Sequence, residues 1–177
     1  LYTLSEHPEK GLIRGQDEPD VELIIGDNLS ALSALQESYA GLVDAIYIDP
    51  PYNTGKNAFT YPDKHARNVW VSFMKRRLLK SYDLISDEGV ILVSIGNEEH
   101  SHLRLLLDEV FGEQNFISNL VWIGNGASNA TFTRGGLDYI LIYAKNKNRL
   151  SKWATPKPQA EKMLSIVADS LRRGTRQ

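Results

Sequence analysis

The sequence predicts an α/β fold with a mostly parallel sheet, and three observations carry that reading. Strand-like and helix-like segments alternate through the first two thirds of the chain. Val90 to Ile95 is a run apolar at every position except Ser94, as in a strand buried on both faces. The apolar run Ala45-Ile46-Tyr47-Ile48 leads straight into the polar tetrapeptide Asp49-Pro50-Pro51-Tyr52, and open α/β sheets do their chemistry at the C-terminal ends of strands.

The elements follow in order. Val21 to Ile25 reads as a short strand, and Asn28 to Ser38, with Leu29, Leu32 and Leu35 at helical spacing, as the helix after it. Asp44 to Ile48 is the next strand. From Asp49 to Arg67 the chain is rich in Asn, Pro, Lys and Gly, a loop long enough to suggest function. A helix is expected over Val69 to Ile85, closed by a turn at Ser86-Asp87-Glu88-Gly89, and then comes the buried strand Val90 to Ile95. The helix Glu98 to Val110 presents Leu103, Leu106, Leu107 and Val110 to the sheet and stops at Phe111-Gly112. Phe116 to Ile123 and Tyr139 to Ala144 flank a Gly- and Asn-rich loop and pair as an antiparallel hairpin. Residues 1–150 read as one part, about half, of a single domain. Residues 151–177 read as a basic linker and helix leading out of it.

Composition narrows the class. With 177 residues, 42% hydrophobic and 24% charged, the chain can bury a core of its own. Its Cys count of 0 excludes a disulfide framework and a thiolate metal site, and no apolar run approaches the ~18 residues of a membrane span. A cytoplasmic address without a membrane partner is the expectation. The net charge of -2 gives no overall basic footprint, so a nucleic acid would be held by a local patch. Leu1 in place of Met suggests that the natural start lies elsewhere.

The tetrapeptide carries the chemistry. Asp49 offers a carboxylate acceptor, Pro50 and Pro51 lack backbone donors and are expected to keep their carbonyls free, and Tyr52 supplies a flat face. A planar amino group fits: one hydrogen to Asp49, one to the Pro50 carbonyl, the ring stacked on Tyr52. That is a clamp for a flipped-out base. Asp-Pro-Pro is equally a competent strand-ending turn, and that plain reading stands beside the functional one.

The run IYIDPPYNTG from Ile46 to Gly55, with LIIGDNLSAL upstream, resembles the amino-methylating DNA methyltransferases that use S-adenosylmethionine. Trp70 to Trp122 and Asp138 to Lys147 are similar to the adenine-specific methylase subunits of type III restriction-modification systems. The resemblance implies a Rossmann-like methyltransferase sheet, S-adenosylmethionine as cofactor, and transfer of its methyl group to N6 of adenine in double-stranded DNA. A restriction subunit or a second copy of the chain are the implied partners, and no metal is required. Asp at the first position favours adenine over cytosine, where Ser is commoner in the family. It also favours DNA over the Asn-Pro-Pro-Tyr pattern of protein-glutamine and some RNA enzymes.

Other residues are weighed in the same way. Asp27 reads locally as a helix N-cap, while the resemblance places it, with Asp49, at the cofactor. Asn53 at the mouth of the clamp, and Asn125, Asn129 and Arg134 in the loop between the last two strands, are the candidate DNA contacts. The Arg134-Gly135-Gly136 stretch departs from the family pattern, so its sequence preference does not transfer. Lys75-Arg76-Arg77 with Lys80 reads as a solvated face sooner than a phosphate contact. Thr54-Gly55-Lys56-Asn57 and Gly124-Asn125-Gly126 lack the remaining residues of phosphate-binding loops. His100 and His102, two apart on a helix, diverge and read as surface histidines.

The Phe-x-Gly-x-Gly element that the resemblance implies for the cofactor is not in the sequence. The order of motifs implies the permuted class, catalytic half first, so the chain is expected to be a fragment, an incompletely observed protein or a degenerate product. Two alternatives to the adenine methyltransferase follow: an inactive DNA- or subunit-binding remnant, and an enzyme for another planar nitrogen such as cytosine N4 or a glutamine amide. The strand ending before Asp27 should be separated from the one ending before Asp49 by a gap in the sheet.

Overall fold

The computed structural model describes residue 5 and residues 22–55, 65–123 and 137–153. Helix α1 (Asn28–Tyr39) leads into strand β1 (Val43–Ile48), helix α2 (Arg67–Leu84), strand β2 (Ile85–Gly96) and helix α3 (His100–Phe111). A short 3-10 turn at Glu113–Asn115 then precedes β3 (Phe116–Ile123) and β4 (Leu137–Ala144). The four strands form one sheet in the order β1-β2-β4-β3. β1 runs parallel to β2, whereas β4 is antiparallel to both β2 and β3. The partial sheet with its antiparallel edge hairpin is as expected, but among the described residues parallel pairing is confined to β1 and β2, because the hairpin supplies two of the four strands described.

Residue periodicity explains the layers. Trp70, Met74, Leu78 and Leu84 of α2 and Leu103, Leu106, Leu107 and Phe111 of α3 are buried, and they meet Ile91, Val93, Ile95, Leu141 and Tyr143 on one sheet face. Each such side chain stabilises the fold by about 1.5–3 kcal/mol. Gly112, at a φ of 88°, ends α3 in a conformation few other residues adopt. On the opposite face, Tyr47, Leu120 and Trp122 are exposed.

Two expectations are corrected. Residues 22–25 are not in a strand, and Leu23 and Ile25 are 83% and 84% exposed. A strand needs a neighbour to satisfy its backbone. β1 pairs only with β2 among the described residues, so its outer edge is open on the side where the gap was expected. Second, 86–89 is not a turn between α2 and β2. Val43 pairs with Ile85 and Ala45 with Val90, so the residues between bulge out within β2. Gly89 is needed there: a Cβ would come 2.8 Å from the Val43 carbonyl oxygen and 2.9 Å from that of Asp44. No helix among the described residues is long and apolar enough to cross a membrane.

Candidate active site

Asp49 follows the last residue of β1 and is exposed at the C-terminal rim of the parallel pair. Pro50 behind it is buried. The Pro51 carbonyl accepts the indole N–H of Trp70 at 2.8 Å, which corrects the expectation that both proline carbonyls are free. Trp70 is 1% exposed, and a buried indole N–H takes the acceptor within its reach. Among the described residues none donates to the Pro50 carbonyl.

Tyr52 lies on the backbone of Gly96, where a Cβ would meet its Cδ2 at 2.8 Å. Gly96 is opposite Asp138 in the β2–β4 register, and opposed residues project to the same face, so Asp138 shares the side on which Tyr52 sits. Burial first, then the carboxylates of Asp49 and Asp138, hold the Tyr52 phenol well above its ordinary value of 10.0. The hydroxyl stays protonated in the field of the Asp49 carboxylate.

The next residue locks the segment. Asn53 has a φ of 58°, the left-handed region that Asn tolerates better than most residues. Its Nδ2 donates to Glu99 Oε1 at 2.7 Å, and its Oδ1 accepts the backbone N–H of His65 at 2.7 Å. The Glu99 side chain is 3% exposed, and its Oε2 lies 3.4 Å from Arg67 Nε and 3.2 Å from His102 Nδ1. Glu99, Trp70, Gly96 and Asp138 were all missed by sequence reasoning. The available signal was position, since Gly96 ends a buried strand at the same rim as Asp49 and Glu99 follows three residues later.

Asp27 does what its local sequence says. Its Oδ1 accepts the Ser30 N–H at 3.0 Å and the Ser30 hydroxyl at 3.1 Å, and Oδ2 lies 3.6 Å from Arg77 Nη2. The Ser30 backbone N–H is the largest influence holding its carboxyl below the ordinary 3.8. Asn125, Asn129 and Arg134 lie outside the described residues, as does the helix expected after residue 158. His100 and His102 are half-buried and not surface residues: His100 packs on the Tyr139 ring with centroids 4.3 Å apart, and His102 faces Glu99. Within the basic run, Lys75 pairs with Glu109, and Arg77 donates to Asn28 while covering the Phe73 ring. Among the described residues no three His, Cys, Asp or Glu side chains are grouped to hold a metal ion.

The family described as DNA methylase, N6_N4_Mtase, matches residues 43–170. This chain belongs to the DNA methylase family. The chain is 37% identical over 155 residues to the type III restriction-modification enzyme StyLTI Mod subunit of Salmonella typhimurium, a match covering 69% of the chain and 23% of that protein. It is 34% identical over 178 residues to the EcoP15I Mod subunit of Escherichia coli, covering 83% of the chain and 28% of the relative. The chain thus spans about a quarter of the length of these relatives. Its fold is that of TTHA0409 from Thermus thermophilus, with a TM-score of 0.51 at 14% identity, 78% of this chain and 58% of the other being covered. The PvuII cytosine-N4-specific DNA methyltransferase shares it at a TM-score of 0.50 and 14% identity, over 70% of this chain and 48% of that one.

Proposed function

We propose that this methylase transfers a methyl group from S-adenosylmethionine to N6 of an adenine flipped out of double-stranded DNA, as the modifying component of a restriction-modification system. One observation carries the reading: the rim of β1 offers the exposed Asp49 carboxylate and the Pro50 carbonyl, while the Pro51 carbonyl is committed to Trp70. Two acceptors suit the two hydrogens of one exocyclic amine. Holding both hydrogens draws the nitrogen toward sp³ geometry and turns its lone pair out of conjugation with the ring. The positive charge that then develops on N6 is met by acceptors already in place. Tyr52, kept neutral and braced on Gly96, gives the base a face to stack on. The proton lost from the methylated amine passes to solvent at the exposed rim.

S-adenosylmethionine, when bound, supplies a methyl group activated by a sulfonium. The residues present fit a cation: the Asp49 and Asp138 carboxylates stand at the rim, and the ring of Tyr52 lies with them. Asp49 and, toward the nucleoside, Asp27 are the proposed cofactor contacts. DNA contact is proposed for Asn125, Asn129 and Arg134, while the Asn53 amide, engaged by Glu99 and His65, is assigned to holding the loop. The Mod subunits among the relatives make a restriction subunit the proposed partner.

The test is methyl incorporation into DNA by the intact protein, followed by nucleoside analysis. N6-methyladenine is the expected product, and N4-methylcytosine alone would move the reading to the cytosine enzymes. Asp49→Ala should abolish transfer without changing the melting temperature, because Asp49 is exposed and its loss opens no cavity. Wild-type turnover in that variant would remove Asp49 from the chemistry.

A further inference from the structure

We propose that Glu99 is a positioning residue of the clamp: its buried carboxylate holds Asn53 in the left-handed conformation that sets the direction of residues 49–52. The inference rests on the methyl-transfer reading above and extends it to a residue from the other side of the sheet rim.

A carboxylate that is 3% exposed must be compensated, and Glu99 has two donors, Asn53 and Arg67, with a third neighbour in His102. Asn53 comes from the loop after β1, Arg67 opens α2 and His102 lies on α3. Their distances rank them. Arg67 is 58% exposed and 3.4 Å away, the geometry of a solvent-screened ion pair. His102 Nδ1 is 3.2 Å away but makes no hydrogen bond of good geometry. Asn53 Nδ2, at 2.7 Å, is the short contact, so the carboxylate is spent chiefly on the loop.

The backbone of Asn53 explains why the loop needs it. An L-residue at a φ of 58° relaxes toward negative φ unless its surroundings hold it, and the two ends of the Asn53 amide are held by Glu99 and His65. Tyr52 is the adjacent residue, and its ring is seated on Gly96. Releasing Asn53 would therefore rotate the peptide that carries Tyr52 and, through the stiff prolines, shift Asp49 relative to the Pro50 carbonyl. Both acceptors would remain, but no longer aimed at one nitrogen.

The experiment is a set of variants in the intact protein, read by kcat, by KM for DNA and by thermal midpoint. Glu99→Gln keeps the shape but leaves one amide oxygen to serve where two carboxylate oxygens served. It should lower kcat by about tenfold to a hundredfold, the effect of misplacing reacting groups by about 1 Å, with KM for DNA little changed. Asn53→Asp combined with Glu99→Gln reverses donor and acceptor and preserves the acceptor for His65, so it should restore most of kcat. Asn53→Gly adopts the left-handed backbone without the amide, and adding Glu99→Gln to it should cost nothing further. Unimpaired kcat in Glu99→Gln overturns the proposal, as does a rate loss that the exchanged pair does not restore or that persists in full in the Asn53→Gly background. If the wild-type protein transfers no methyl group, the reading of function fails; if it does and Glu99→Gln is unimpaired, only this inference fails.

Discussion

Gly96→Ala tests whether the seat of Tyr52 sets the rate of the reaction. The new Cβ would stand 2.8 Å from Tyr52 Cδ2 and 2.9 Å from Glu98 Oε2. Carbon atoms in ordinary contact are about 3.5–4.0 Å apart, so the ring must withdraw by ~0.7–1.2 Å. Glu98 is exposed and can swing away. Tyr52 cannot follow freely, because Pro51 before it is tied to Trp70 and Asn53 after it to Glu99. Overpacking of this kind costs about 1–3 kcal/mol of stability, part of which is offset by the smaller entropy of an alanine-containing unfolded chain. The rate should suffer more: a displacement near 1 Å costs about a hundredfold, or about 2.7 kcal/mol of transition-state stabilisation. Single-turnover methyl transfer and urea unfolding on the same preparation separate the two effects. Gly26→Ala, whose Cβ would meet nothing within 4 Å, serves as the control for stability. A folded Gly96→Ala protein with the wild-type transfer rate would refute the role given to the ring.

Two further outcomes are expected. Trp70→Phe removes the donor to the Pro51 carbonyl and thins a side chain that is 1% exposed, and it should cost about 2–4 kcal/mol in urea unfolding; a loss under about 1 kcal/mol would mean that water replaces the indole. Asp27→Ala should lower the thermal midpoint at neutral pH by removing the cap of α1. Because the folded-state pKa of Asp27 is depressed, its contribution is present above the ordinary 3.8 and lost as pH falls through the depressed value, so the two proteins should converge in acid. A gap in melting temperature that persists undiminished there would refute the assignment.

Local pattern was enough for some of this architecture and not for the rest. The apolar run at 90–95 and the leucines of α3 predict their elements because burial follows periodicity, and both are placed as the pattern says. The place of Asp49-Pro50-Pro51-Tyr52 was legible for a similar reason, as a polar tetrapeptide at the end of an apolar strand. Residues 22–25 have an equally good strand pattern and form none, because pairing depends on a neighbour that a local pattern does not reveal. The supports of the clamp were hidden for the same reason. Trp70 reads as a core aromatic until its N–H is seen on Pro51, 19 residues earlier, and Glu99 as a helix-start carboxylate until Asn53, 46 residues earlier, is found against it. Gly96 looks like a strand end, and only the ring across it shows why no side chain fits.

The hydrogen bond from the His65 N–H to Asn53 Oδ1, 2.7 Å long, has a consequence for chain length. It brings together two points twelve positions apart in the chain and so closes the backbone between them at its base. Lengthening a closed loop costs only about 0.6 kcal/mol per doubling. Changes of length between those two points should therefore cost little stability as long as the bond between Asn53 and His65 closes the base.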